Sequence, residues 1–218
     1  TSGLRFHSDK SEVYVEFSVF DSISQKVLNS IQPEILIRFG DVPTSKNIHQ
    51  FLENTTAKHH ILIRSDGEWS DDNHNITQFI QADEFDIDEL ESEILTKWRG
   101  NEKGWKNQFN QIEQSSWQVI DHEIENGAYF DGGVVYDVVD LIPNESTLFV
   151  GNSLPVRHLD QFGKPQDKRI YTYANRGASG IDGNISTALG AGSARPDKPL
   201  VAIFGDITFY HDMNGLLA

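Results

Sequence analysis

The chain has 218 residues, carries 18 Lys and Arg against 33 Asp and Glu for a formal net charge of −15, and contains no cysteine. The missing cysteine excludes disulfide scaffolds, CxxC zinc sites and thiol nucleophiles, and is compatible with a reducing cytosol, so a cytoplasmic location is the expectation. The acidic balance argues against nucleic acid as a partner, because phosphate binding draws on clustered Lys and Arg. A hydrophobic content of 38% with 11% aromatics is too apolar for a disordered acidic chain. No apolar run reaches the ~18–20 residues of a membrane span, so a soluble protein without membrane insertion is expected.

Short apolar runs alternate with amphipathic stretches from one end to the other, the pattern of βα units around parallel sheets. In chain order, the pattern predicts a strand at 13–17, a helix at 21–31, a strand at 34–39, a helix at 46–54 and a strand at 59–64. A helix follows at 86–99, preceded and entered by seven acidic residues between Asp83 and Glu93, which read as an acidic first turn and a solvated face. Arg99, Gly100 and Asn101 then form a helix stop. Further helices are predicted at 105–125 and 132–141, a strand at 147–151, a helix at 153–161, a strand at 169–173, a helix at 183–194 and a strand at 200–204, with a last helix after Asp206. Four of the 17 glycines lie before or within the helix stop and 13 follow it. This shift puts a domain boundary near 103, giving domains 1–103 and 104–218, with the ligand binder in the second, since glycines gather where backbone turns sharply or meets a ligand closely. The fold class is α/β: two Rossmann-like parallel-sheet layers with helices on both faces. The tryptophans 69, 98, 105 and 117 read as core or interface anchors rather than as a stacking platform.

Three strands of the second half run into small or polar clusters at their carboxyl ends: LFVGNS (148–153), YTYANRG (171–177) and VAIFGD (201–206). Ligands of open parallel sheets bind at such ends. Asp206, delivered by a strand and preceded by Gly205, suits a hard cation such as Mg²⁺, which takes one or two carboxylates together with phosphate oxygens. Free N–H groups at the start of the next helix would hold the phosphate. In NRGASGIDG (175–183), either Asp182 or Asn184 is expected to cap the following helix, while Arg176 on a glycine loop suits a carboxylate or phosphate. Ser153 is expected to cap the helix that carries Arg157 one turn further on. His59 and His60 belong to a strand, and His211 to a structural role near the pocket. No GxGxxG follows a strand, since Gly190 and Gly192 sit in a helical pattern; GxxxxGK[ST], HExxH and GxSxG are absent.

The motifs GNSLPVR (151–157), ANRGASGIDG (174–183) and GDITFYHDMNGL (205–216) resemble the diphosphate-binding domain of the 2-succinyl-5-enolpyruvyl-6-hydroxy-3-cyclohexene-1-carboxylate (SEPHCHC) synthase family, thiamin diphosphate enzymes of menaquinone biosynthesis. SGLRF (2–6), RFGDVPTSK (38–46) and DGEW (66–69) resemble that family's central domain. The resemblance implies a transferase that decarboxylates 2-oxoglutarate on thiamin diphosphate and adds the resulting carbanion to isochorismate. It implies Asp206 as ligand of Mg²⁺ (or Mn²⁺), and Ile181 as the apolar support under the thiazolium. Asn175, Ser179, Gly180 and Gly205 are implied as further cofactor contacts, and Ser153, Arg157, Arg176 and Lys46 as substrate-binding residues. Departures are Ile207 in place of the last glycine of Gly-Asp-Gly, Asp41 where relatives carry arginine, and Asn47 where they carry a basic residue. The activating glutamate of such enzymes belongs to an N-terminal domain not included in these residues, so no catalytic residue is assigned here. The chain is therefore expected to be an internal fragment with both domains incomplete, part of the central domain and the first half of the cofactor domain, inactive alone, its parent a homodimer or homotetramer. The alternatives are a thiamin diphosphate enzyme of acetolactate synthase or decarboxylase type, which would need no extra arginines, and a non-catalytic anion-binding α/β module.

Overall fold

The computed structural model describes residues 5, 6, 17–82 and 102–217. They pack as two compact units, one of Phe20–Phe109 and one of the residues from Asn110 onward joined by the described residues up to Val19.

In the first unit the order is α1 (Gln25–Leu28), β1 (Ile35–Phe39), α2 (Lys46–Asn54), β2 (His59–Arg64) and β3 (Gln78–Gln81). The three strands form a parallel sheet in the order β1-β2-β3, with Ile61 of β2 opposite Ile37 on one side and Gln78 on the other. α2 begins where the Ser45 hydroxyl accepts from the Ile48 N–H at 3.1 Å, a side-chain cap of the first turn. The helix expected over 21–31 shrinks to the four residues of α1. The start of that stretch is taken up by α2 instead: Asp21 accepts from Ser45 Oγ at 2.6 Å and the Phe20 carbonyl from Asn47 Nδ2 at 2.9 Å. β3 was not foreseen, because two apolar residues between glutamines are too short for a legible alternation. Of the strand expected at 13–17, residues 13–16 lie outside the described residues and Phe17 is not in a strand; the acidic run and helix at 83–99, Trp98 and the stop at 99–101 also lie outside them.

α3 (Glu102–Asn126) passes into the second unit, followed by α4 (Asp131–Leu141), β4 (Ser146–Val150), α5 (Leu154–Phe162), β5 (Ile170–Tyr173), α6 (Asn184–Ser193), β6 (Leu200–Ile203), α7 (Asp206–Asp212) and a 3₁₀ turn at Met213–Leu217. The parallel order is β5-β4-β6. β4 is buried at every residue, as a central strand covered on both faces must be. Leu148 and Val150 join Val135, Val139, Ile142, Leu159 and Ile170 in the core, with Phe6 completing it. Trp117 is buried and its indole N–H donates to Glu113 and Ser18 at 2.7 and 3.0 Å, whereas Trp69 and Trp105 are exposed.

The boundary near 103 assigns residues 5 and 6 to the first domain; the packing places them in the second unit. Arg5, only 7% exposed, donates to the carbonyls of Leu159 and Gly163 at 3.1 Å each and of Asp160 and Ser18 at 2.7 Å each. These include carbonyls at the C-terminal end of α5, which carries the negative end of the helix dipole. Phe6 forms a parallel bridge with Gln166.

Both sheets are thus three-stranded and parallel with helices on both faces, an α/β fold as the sequence pattern predicts. In the second, β4 connects to β5 on one side and the chain then crosses to β6 on the other. The carboxyl ends of β4 and β6 therefore flank a topological switch point, where open α/β sheets bind ligands. Among the described residues no helix is long and apolar enough to cross a membrane.

Candidate functional site

The three strand ends singled out in the sequence meet at one rim of the second unit. At the end of β4, the Gly151 N–H donates to the Ile203 carbonyl at 2.8 Å. A Cβ on Gly151 would lie 3.0 Å from Phe204 and 3.2 Å from that carbonyl, so the missing side chain lets the ends of β4 and β6 close on each other. Asn152 follows, 1% exposed. Its Nδ2 donates to the Gly180 carbonyl at 2.7 Å and its Oδ1 accepts from Arg176 Nη1 at 2.9 Å, which draws the loop after β5 over the end of β4.

That loop enters α6 through Gly183 at φ 65°, a left-handed turn that favours glycine. The expected cap is corrected here: Gly183 occupies the N-cap and neither Asp182 nor Asn184 caps with its side chain. Asn184, fully buried, instead turns its Nδ2 back onto the carbonyls of Gly180 and Asp182 at 3.2 and 3.3 Å. The first turn of α6 is bonded from outside, the Ser186 N–H donating to Asp212 of α7 at 2.9 Å. His211 Nδ1 lies 2.8 Å from Asp182, a second tie between the loop and α7 and the structural role expected of this histidine.

Ser153 is the N-cap residue of α5 but does not cap. Its backbone sits at φ 73° and ψ −123°, not in the extended conformation from which a hydroxyl reaches the first-turn N–H groups, and its side chain makes no capping bond. A non-glycine residue in this region costs about 1–3 kcal/mol, and such residues cluster at functional sites. Ser153, Arg157 and Arg176 are all exposed. Among the described residues neither arginine forms an ion pair, and the one hydrogen bond of the Arg176 side chain goes to a neutral amide, so its charge stays available. Asn175 donates to Thr187 at 3.2 Å, Ser179 is exposed and Ile181 half-buried. Asp206 opens α7 behind Gly205; one carboxylate oxygen accepts from the Ile207 N–H at 2.8 Å, the other having no protein partner among the described residues. Lys46 belongs to the other unit, exposed as the first residue of α2.

The donor set fits a diphosphate with one hard cation. Gly177 and Gly180 have no positive φ, and a Cβ on either would meet nothing within 4 Å. Neither turn geometry nor packing demands glycine there, and the bare backbone leaves room for a ligand to approach closely. Asp206 offers a carboxylate oxygen to such a cation, and among the described residues no group of three or more metal-ligating side chains exists. Asn152, Asn184 and Asp212 were not singled out as site residues by the sequence. The only cue was a polar residue directly after a fully buried strand.

Comparison with known proteins gives the following. The family model described as "Middle domain of thiamine pyrophosphate" matches residues 19–150. A Roseiflexus sp. (strain RS-1) protein is 53% identical over 186 residues, 85% of this chain and 31% of its own length. A Haloarcula marismortui protein is 40% identical over 225 residues, 100% of this chain and 36% of its own length. A Bacillus cytotoxicus protein is 37% identical over 187 residues, 86% of this chain and 31% of its own length. All three carry the name 2-succinyl-5-enolpyruvyl-6-hydroxy-3-cyclohexene-1-carboxylate synthase. The chain spans about a third of the length of these curated relatives.

Proposed function

This chain belongs to the thiamine pyrophosphate middle-domain family, and from that premise we propose that the protein containing it is a SEPHCHC synthase acting in menaquinone biosynthesis. Its substrates are 2-oxoglutarate and isochorismate, its cofactors thiamin diphosphate and Mg²⁺ or Mn²⁺, its location cytoplasmic and its assembly a homodimer or homotetramer. Thiamin diphosphate, when bound, supplies the electron sink that lets a 2-oxo acid lose carbon dioxide.

The residues of this chain have the following parts. Asp206 ligates the cation that ties the diphosphate to the end of β6. Gly205, Asn175, Ser179 and Gly180 offer backbone and polar contacts to the cofactor, and Ile181 gives its ring an apolar support. Arg176, Arg157 and Ser153 bind substrate carboxylates, and Lys46 is a further substrate-binding residue. Both substrates are anionic, and fork-shaped guanidinium groups match carboxylates bidentately. The supporting observation is the uncancelled charge of Arg157 and Arg176 on the rim that carries Asp206, in a chain otherwise strongly acidic. An acetolactate synthase or simple decarboxylase acting on an uncharged side chain has no use for it, and the relatives' names favour the synthase.

The test is an assay of the full-length protein with 2-oxoglutarate, isochorismate, thiamin diphosphate and Mg²⁺. Formation of the succinyl-cyclohexene product is expected; no product, with robust turnover of pyruvate, refutes the reading.

A further inference from the structure

The loop between Arg176 and Ile181 must present a guanidinium and an apolar side chain at fixed positions, yet it has little packing of its own. Arg176, Gly177, Ala178, Ser179 and Gly180 are all exposed. Gly177 and Gly180 have open space where a side chain would stand. A segment without buried apolar contacts belongs to the low-stability end of a fold unless something else ties it down.

Two buried amides do so. Asn152 at the end of β4 and Asn184 at the start of α6 are 1% and 0% exposed, and both donate to the Gly180 carbonyl, at 2.7 and 3.2 Å. A carbonyl oxygen has two lone pairs, and here both meet a donor. The peptide plane from Gly180 to Ile181 is thereby held from the strand side and from the helix side at once. Asn152 uses its remaining amide atom on Arg176 at 2.9 Å, and Asn184 its second donor contact on Asp182 at 3.3 Å. Burial in low dielectric strengthens such bonds and makes their loss costly.

We propose that Asn152 and Asn184 are positioning residues: they clamp the Gly180 carbonyl so that Ile181 is presented to the cofactor, and Asn152 alone also aims Arg176 at the substrate carboxylate. The proposal rests on the functional reading above and assigns the two residues different consequences. Asn184 acts on the cofactor only. Asn152 acts on cofactor and substrate, the latter through Arg176.

The experiment uses the full-length protein and the variants Asn152→Ala, Asn184→Ala, Arg176→Ala and the double variant Asn152→Ala with Arg176→Ala. Calorimetry with thiamin diphosphate and Mg²⁺ reads cofactor affinity, steady-state kinetics read kcat and the KM of each acidic substrate, and thermal melting reads the fold. A displacement of about 1 Å at a reacting group costs ~100-fold, so a loosened loop should lose roughly tenfold to a hundredfold in kcat in both asparagine variants, with weakened cofactor affinity. Asn184→Ala leaves both KM values within about twofold, whereas Asn152→Ala raises one of them by roughly tenfold, the scale of one lost charge-assisted bond. In the Arg176→Ala background that KM effect vanishes while the loss of cofactor affinity remains, because residues acting through one another are not additive. A merely structural role moves every parameter with the melting temperature and ignores the background. Equal KM effects in both backgrounds, or unchanged cofactor affinity in both asparagine variants, overturns the proposal. Should either alanine variant melt too low to assay, Asn152→Ser and Asn184→Ser, which keep a hydroxyl, carry the same test. A wild-type protein that binds the cofactor but forms no product refutes the functional reading and leaves calorimetry to judge the clamp; one that binds no thiamin diphosphate overturns both.

Discussion

Removing Arg5 tests how a residue near the start of the sequence supports the site-bearing half. Among the described residues its guanidinium makes four hydrogen bonds to carbonyls, three of them at the end of α5, the helix that carries Ser153 and Arg157 at its other end. Hydrogen bonds to charged groups contribute about 1.5–3 kcal/mol each before the cost of desolvating the guanidinium is subtracted. The Leu159 carbonyl keeps a donor in the Gly163 N–H at 3.0 Å, so it loses less than the others. A cation at a partly buried helix C-terminus adds up to ~2 kcal/mol. Leaving a buried acceptor without its donor costs about 1–3 kcal/mol, and with the guanidinium's desolvation cost removed at the same time about 3–5 kcal/mol net is the expected loss for Arg5→Ala. At roughly 3–5 °C per kcal/mol for a unit of this size, the melting temperature should fall by about 10–20 °C. Arg5→Lys should recover only part of the loss, because a single ammonium cannot reach carbonyls on two sides as a planar fork does. The assay is thermal and urea unfolding of the chain followed by circular dichroism and by Trp117 fluorescence. A loss under about 1 kcal/mol for Arg5→Ala, or full recovery by lysine, would mean that the four bonds do not hold the end of α5.

Further outcomes are expected. Gly132→Ala places a Cβ 2.4 Å from the rings of Phe130 and Phe162, whose edge-to-face contact has centroids 5.1 Å apart, and should cost about 1–3 kcal/mol in urea unfolding. Gly190→Ala meets nothing within 4 Å inside α6 and should stabilise by ~0.5–1 kcal/mol; a destabilisation of similar size would contradict the packing described. In the full-length protein, Asp206→Ala should abolish Mg²⁺-dependent thiamin diphosphate binding by calorimetry, while Arg176→Ala should retain it and raise substrate KM. His60, 1% exposed on β2, has its pKa pushed below the ordinary 6.5 by burial, against the pull of Asn75, with the nearby Arg38 charge lowering it further and Asp71 opposing. The unfolded chain then takes up the proton first, so this contribution is fully present above pH 6.5 and is lost as pH falls through the lower folded value. Unfolding of the first unit measured from pH 8 to 5 should show that slope, and His60→Gln should flatten it.

The strands β2, β4, β5 and β6 and the helices α2, α4 and α6 were legible within a residue or two because short apolar runs alternate with amphipathic stretches in the chain itself. The segment 21–31 was not, since its early residues bond to the start of α2 and tertiary partners outweighed helical propensity. Ser153 fails as a cap for a related reason: the junction after β4 bends through positive φ, a property of how the strand end meets its neighbours. The candidate residues Arg157, Arg176 and Asp206 were legible as chemistry, since a guanidinium on a glycine loop or a carboxylate after a strand announces a ligand by residue type.

By itself, then, the sequence determined the α/β alternation, the three ligand-suited strand ends and the likeness to thiamin diphosphate enzymes, all of which are written in local spacing. Only the tertiary structure decided which residues hold those ends in place. Asn152 reaches partners 24 and 28 positions away, Asp212 bonds the first turn of a helix 26 positions back, and Arg5 closes a helix more than 150 positions downstream. A buried amide or guanidinium is placed by the hydrogen bonds that burial obliges it to make, and the sequence near it carries no record of where those partners lie.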